Sequence, residues 1–140
     1  MKRFRVPVVL AAILASISCS PEGPDLSTRL RSDDMSYRVY ADPTPPRARE
    51  DTKYRVVVRD SKTGQPIEGG EGRIFATSRD NINTWDPLLP GQELGTYYGN
   101  LSFITAGEWA VAIEFRRDST QRLQRVDWMQ EVFPARGEKD

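Results

Sequence analysis

Apolar and polar residues alternate along several short segments of the chain from residue 37 onward. Successive side chains of a β-strand point to opposite faces of a sheet, so this alternation predicts strands with one apolar face. The clearest segment is 109–115, where tryptophan, valine, isoleucine and phenylalanine alternate with alanine and glutamate. No window shows a convincing helical period. In chain order, the predicted strands are 37–41, 54–58, 73–79, 96–104, 109–115 and 123–133.

The connections between these segments are rich in turn-forming residues, among them Gly64 and Gly107. The longest connection, 80–95, is predicted to be a loop with one short strand near Leu88 and Leu89. About seven short strands of this kind predict an all-β fold, an immunoglobulin-like antiparallel β-sandwich over residues 37–134. A closed barrel is the alternative. Residues 135–140 form a polar tail.

Residues 1–18 have the features of a secretory signal peptide, with a basic start, an apolar run over 6–17 and small residues at its end. The run is shorter than the roughly 20 residues that a membrane-spanning helix needs. Cys19 follows directly, and the segment resembles the signal of bacterial lipoproteins, in which this cysteine is lipidated. Cleavage after Ser18 to give a soluble secreted protein is the first alternative, and a buried free Cys19 is the second.

Residues 19–36 are polar and turn-rich, so we expect a flexible tether between the membrane and the sandwich. A tail without a spacing role is the alternative. The signal and Cys19 together predict an exported protein of the cell envelope, anchored through its lipid as an outer-membrane or periplasmic lipoprotein.

The composition excludes several classes of chemistry. The 140 residues include no histidine and one cysteine, which excludes a histidine base, histidine-ligated metal and an internal disulfide. Lys+Arg and Asp+Glu balance at 20 each, and loss of residues 1–18 leaves the mature chain with a net charge of −3. Neither this charge nor the compartment favours nucleic-acid binding.

Two segments carry a resemblance to known domains. Residues 60–67, DSKTGQPI, are similar to a turn of many bacterial immunoglobulin-like domains. Residues 95–103, GTYYGNLSF, followed by 107–111, GEWAV, resemble YtkA-like and FixH-like domains in order and spacing. The resemblance covers about 37–133 and implies a small exported or membrane-anchored β-sandwich. Some members of that group are linked to copper handling, but Met35 and Met129 are isolated and histidine is absent, so we predict no metal and no cofactor.

Other polar segments are better explained without catalysis. Ser61 and Lys62 form part of a turn, and the adjacent acidic pairs at 33–34 and 50–51 lie in the tether and a loop. The oxygen donors of 80–86 would suit Ca²⁺ but lack the spacing of an EF-hand loop. We therefore predict no catalytic residue and a protein that is not an enzyme.

Three aromatic residues are the predicted binding residues. Trp85 lies in the predicted loop, whereas Trp109 and Trp128 occupy alternating strand positions and are expected in the core. Tyr40 and Tyr98 fall opposite the apolar faces of their strands. We expect protein binding or scaffolding with another cell-envelope protein through the surface around Trp85. A carbohydrate- or small-molecule-binding module is the alternative, and copper handling is the third.

Overall fold

The computed structural model describes residues 23–138, so the predicted signal peptide and Cys19 lie outside the described residues. Over this range, no helix is long and apolar enough to cross a membrane. The prediction of an all-β antiparallel fold is confirmed, with eight strands rather than about seven. They are β1 (Thr28–Arg31), β2 (Met35–Asp42), β3 (Asp51–Asp60), β4 (Glu71–Ser78), β5 (Asn83–Pro90), β6 (Thr96–Ser102), β7 (Gly107–Arg116) and β8 (Gln124–Val132).

The strands form a single sheet in the order β1-β2-β3-β6-β5-β4-β7-β8, and every neighbouring pair is antiparallel. Strand β5 joins the two halves, because residues 83–88 pair with β4 whereas Leu89 and Pro90 pair with β6. The sheet curls until its edge strands approach, and the Ser32 hydroxyl donates to Gln124 Oε1 at 2.6 Å. The result is sandwich-like and nearly closed.

The apolar faces of the strands enclose one core. Its largest fully buried side chains include Trp109, Tyr54, Tyr97, Phe103 and Phe115. Aromatic rings pack edge to face, with centroids 4.9 Å apart for Tyr97 and Phe115 and 5.2 Å apart for Phe103 and Trp109. Trp109 is therefore a core residue, as expected. Trp128 is only half-buried, because the neighbouring sheet edges do not close over it.

The predicted loop 80–95 is wrong over most of its length, because β5 occupies residues 83–90. Trp85 lies inside this strand and pairs with Phe75 of β4. The outward positions of β5 carry Trp85 and Leu89, and two prolines interrupt it, so the segment lacks apolar–polar alternation. Backbone pairing with β4 and β6 and burial of Leu88 in the core form the strand despite this composition.

The predicted tether also ends earlier than residue 36. Thr28–Arg31 forms β1, which pairs with residues 36–39 of β2. The sequence of β1 is mostly polar because only Leu30 packs against the core. Met35, which begins β2, is fully buried. The segment before the predicted first strand is thus part of the folded domain.

Candidate functional site

The outer face of β2, β3 and β6 is basic and aromatic. Alternation buries Val39, Tyr54 and Val56 and turns their neighbours outward. The outward side chains include Arg38 and Tyr40 on β2, Lys53, Arg55 and Arg59 on β3, and Tyr98 on β6. This face concentrates positive charge, although basic and acidic residues balance at 20 each over the chain as a whole.

The strand register brings two of the predicted binding residues together. Tyr40 pairs with Arg55, and Arg55 pairs in turn with Tyr98. The guanidinium carbon of Arg55 lies 3.9 Å from the centroid of the Tyr40 ring, and that of Arg38 lies 5.4 Å from it. The ammonium of Lys53 lies 5.0 Å from the Tyr98 centroid. These distances are typical of cation–π contacts, which orient the cations on the surface.

An open groove of about 590 Å³ runs over this face. Its lining contains four arginines, Arg29, Arg38, Arg55 and Arg59, together with Tyr40, and a single acidic residue, Glu93. We call this feature the arginine groove. Within residues 23–138, Arg55 and Arg59 take part in no ion pair. Their guanidinium groups can therefore receive an external anion.

A carboxylate of the chain itself binds two of the arginines that line the groove. Asp25 Oδ2 accepts from Arg29 Nη2 at 2.9 Å and also from Arg38 Nη2. The hydroxyl and N–H of Ser27 donate to the other oxygen, Oδ1, at 2.6 and 3.1 Å. The bonds from Ser27, followed by those from the two arginines, hold the pKa of Asp25 well below its usual range. The groove is thus chemically suited to carboxylates of an extended chain.

Trp85 lies apart from this groove. It is 63% exposed on β5, and Leu89, on the same side of that strand, is 61% exposed. Trp85 and Leu89 form an apolar strip on the outer side of β5. Because Leu89 pairs with Tyr98, this strip continues the outer face beyond β6. The predicted role of Trp85 in binding stays a prediction, and Cys19 lies outside the described residues.

Sequence reasoning did not identify the arginines. Arg38, Lys53, Arg55 and Arg59 appear in the sequence as the polar positions of alternating strands, which any solvated face would show. Only the antiparallel register and the addition of β1, with Arg29 opposite Arg38, place these charges around one groove. The one available signal was the presence of Lys53, Arg55 and Arg59 at alternate positions in and flanking a single predicted strand, interrupted by Val57.

The second arginine group, around the β7–β8 hairpin, is held in ion pairs within the domain. Arg117 donates to Asp60 Oδ2 at 2.7 Å and to Asp34 Oδ2 at 3.0 Å. Further pairs are Arg116 with Glu71, Arg122 with Asp33 and Arg125 with Asp127. These contacts join strands and turns, so this group is less available to a partner than the arginine groove.

The other candidate segments are engaged in local structure. Ser61 and Lys62 lie in the turn after β3, where Asp60 Oδ1 accepts from the N–H groups of Lys62 and Thr63 at 2.9 and 2.8 Å. Asp86 Oδ2 accepts from the N–H of Asn100 at 2.7 Å. Across residues 23–138, no three His, Cys, Asp or Glu side chains form a cluster that could hold a metal ion.

Comparison with known proteins shows similarity at the level of the fold. No family model and no curated protein matches the sequence. The structure is similar to a DUF4426 family protein from Pseudomonas aeruginosa PAO1, with 14% identity, a TM-score of 0.60 and coverage of 78% of this chain and 96% of that one. A copper-bound variant of FetP from uropathogenic Escherichia coli has 11% identity, a TM-score of 0.49 and coverage of 76% and 88%. The first shows the all-β fold alone, and the second is too distant to carry an argument.

Proposed function

We propose that the mature protein is a non-enzymatic, membrane-tethered β-sandwich of the cell envelope that binds another envelope protein through the arginine groove. The supporting observation is the internal carboxylate of Asp25, which is bound by Arg29 and Arg38 while Arg55 and Arg59 have no acidic partner within the described range. An extended acidic segment of a partner would place further carboxylates against these two arginines.

Arginine chemistry favours such a partner. A guanidinium offers a planar fork of donors that matches a carboxylate, and it is more weakly hydrated than an ammonium. Tyr40 holds Arg55 and Arg38 over its ring, which reduces the side-chain entropy that binding would cost. The open shape of the groove suits an extended chain better than an enclosed small molecule.

The envelope location and the finer family assignment belong to the same proposal. Lipidation of Cys19 would place the domain at a membrane surface.

The resemblance to YtkA-like and FixH-like immunoglobulin-type domains gains support from the positions of its motif residues. Tyr97, Leu101, Phe103 and Trp109 are all buried, so the motif is explained by the core of the sandwich.

The carbohydrate- or small-molecule-binding alternative is favoured by one observation, the exposed indole of Trp85 on β5. A sugar could stack on that ring, whereas the Tyr40 ring already contacts two guanidinium groups. Copper handling remains the third alternative, and the residues disfavour it. The chain has no histidine, and Met35 is buried in the core while Met129 lies exposed on β8.

Photo-cross-linking in the native host tests the protein-binding proposal. A photoreactive amino acid in place of Leu94, which lines the groove and is 61% exposed, should yield a discrete adduct with one envelope protein. The same group at position 62, in the exposed turn after β3, is the matched control and should not. Adducts of equal yield at both positions, or none at position 94, would contradict protein binding through the groove.

The mass of the mature N-terminal peptide tests the tether. A diacylglyceryl group on Cys19 is the expected result. A peptide that begins at an unmodified Cys19 or at Ser20 would show a soluble exported domain and would favour the small-molecule alternative.

A further inference from the structure

The chain enters the folded domain beside the arginine groove. Gly23, the first described residue, lies in a surface depression together with Arg38 and Tyr40, and both of these side chains also line the groove. Asp25 then binds Arg38 and Arg29, which holds this part of the chain in place. The entry point of the chain and the groove therefore share one outer face.

The distance from this entry point to the proposed membrane anchor is short. Gly23 is the fourth residue after Cys19. Because an extended chain spans at most about 3.5 Å per residue, Cys19 can lie no more than about 14 Å from Gly23. Lipidation of Cys19 would therefore hold the near end of the arginine groove close to the membrane surface.

So short a spacer limits what can reach the groove. A folded domain of about 100 residues has a radius of gyration of about 13 Å, so its diameter is about twice the reach of the spacer. A single extended strand is much thinner, since neighbouring strands of a sheet lie only about 5 Å apart. An extended segment fits between the domain and the membrane, where a folded domain does not.

We propose that the arginine groove binds an extended acidic segment adjacent to the membrane anchor of a protein in the same membrane. This inference rests on the proposed function, that is, on binding through the groove and on lipidation of Cys19. Arg55 and Arg59 are four residues apart on β3, about 13 Å along the strand, so carboxylates four residues apart in an extended segment would reach both. Membrane proteins concentrate Lys and Arg in their cytoplasmic loops, and flanking segments on the envelope side are therefore compatible with acidic charge.

The membrane surface itself is the competing occupant, because anionic headgroups also attract arginine. Two observations favour a peptide chain. The arginines line a groove rather than a protruding ridge, and two of them, Arg29 and Arg38, already bind the carboxylate of Asp25. An extended segment can follow the groove along its length, whereas a flat surface contacts mainly its rim.

The identity of the cross-linked peptide tests the proposal. The adduct formed in the native host by a photoreactive group at position 94 is digested and sequenced by mass spectrometry. The partner peptide should be acidic and lie within about ten residues of a membrane-spanning segment or lipid anchor, because spacer and groove together reach about 27 Å, or about eight extended residues. A peptide from a soluble protein or from a remote domain would overturn this inference alone. A phospholipid adduct, or no adduct, would overturn protein binding through the groove as well.

A spacer variant tests the distance directly. About twelve prolines inserted between Glu22 and Gly23 add a semi-rigid segment of about 37 Å, and the adduct yield at position 94 should fall about fivefold or more. The insertion precedes the contacts of Asp25, so the fold and the groove stay intact. The same prolines appended after Asp140 are the matched control and should leave the yield unchanged. An undiminished yield in the spacer variant would overturn the location beside the membrane but not binding through the groove.

Discussion

The guanidinium of Arg55 lies over the ring of Tyr40, 3.9 Å from its centroid and directly across the β2–β3 register. Both side chains are half-buried on the outer face of the sheet. The contact holds a cation in place without neutralising it. A surface built in this way presents ordered positive charge to a partner.

We first expect Tyr40 and Arg55 to be coupled in their contributions to the free energy of unfolding. A double-mutant cycle of Tyr40→Leu and Arg55→Ala, measured by urea unfolding, should give a coupling free energy of about 0.5–1 kcal/mol. Lys53→Ala serves as the control partner for Tyr40→Leu, because Lys53 lies over Tyr98 instead. Coupling within error of zero for Tyr40 and Arg55 would mean that the ring does not orient the guanidinium.

The two buried tyrosines should respond oppositely to loss of the hydroxyl. The Tyr97 hydroxyl donates to the Ile67 carbonyl at 2.7 Å and accepts from the N–H of Gly70 at 3.0 Å. Tyr97→Phe therefore leaves buried backbone groups unpaired and should cost about 1–3 kcal/mol of unfolding free energy. Tyr54→Phe removes an unpartnered hydroxyl and should be neutral or stabilising. Urea denaturation of both variants measures these changes in unfolding free energy. An equal loss of stability in the two variants would refute the prediction.

Acid should destabilise the folded protein because it protonates the Asp60 carboxylate. Hydrogen bonds from the N–H of Thr63, from Arg117 and from the N–H of Lys62 hold the pKa of Asp60 well below its usual range. A carboxylate with a lowered pKa in the folded state stabilises the fold above its unfolded pKa of about 3.9, and this contribution is lost as the pH falls below it.

Thermal unfolding between pH 6 and pH 2 measures this effect, since these limits bracket the usual aspartate pKa of about 3.9. The melting temperature of the wild type should fall more steeply with acid than that of Asp60→Asn. Asp80→Asn, in an exposed turn, is the control and should retain the wild-type slope. Parallel slopes for the wild type and Asp60→Asn would contradict a stabilising role for the carboxylate.

Gly95 and Gly64 have the same backbone φ, so alanine substitutions at these two positions distinguish backbone strain from steric crowding of the new Cβ. Gly95 and Gly64 both have a φ of 73°, so alanine at either position should cost about 1 kcal/mol in the left-handed region. A Cβ at Gly95 would also lie 2.7 Å from Pro66 Cβ and 2.8 Å from the Val58 carbonyl oxygen, whereas none lies within 4 Å at Gly64. Gly95→Ala should therefore lose clearly more stability in urea unfolding than Gly64→Ala. A similar loss in both would show that the backbone relieves the contact.

Alternation along the chain was sufficient to predict most of the fold. Residues 109–115 lie in β7 because one face of this segment packs into the core, and the same rule places Trp109 there. The rule fails for β5, where Trp85 and Leu89 face outward, only Leu88 is buried in the core, and backbone pairing with the neighbouring strands carries most of the strand. It fails again for β1, whose single core contact, Leu30, makes the segment resemble a polar tether.

The candidate site was harder to predict, because it depends on register. Period-two alternation puts Tyr40, Arg55 and Tyr98 on outer faces but cannot show which lies beside which. The register of the consecutive strands β2 and β3 places Tyr40 beside Arg55, and the pairing of β3 with β6, which is distant in sequence, adds Tyr98 to the row. Strand register therefore reveals the groove, and long-range strand order extends it to Tyr98.

Affinity for an acidic peptide tests the central claim most directly. Calorimetric titration of the protein with a short oligoglutamate should show binding that weakens as salt is added. The double variant Arg55→Gln and Arg59→Gln should lose about a hundredfold in affinity, since each of the two lost charged hydrogen bonds costs about 1.5 kcal/mol. Arg79→Gln, an exposed arginine beside Glu108 and outside the groove, should bind as the wild type does. Equal affinity in all three proteins, or no binding by the wild type, would contradict the account.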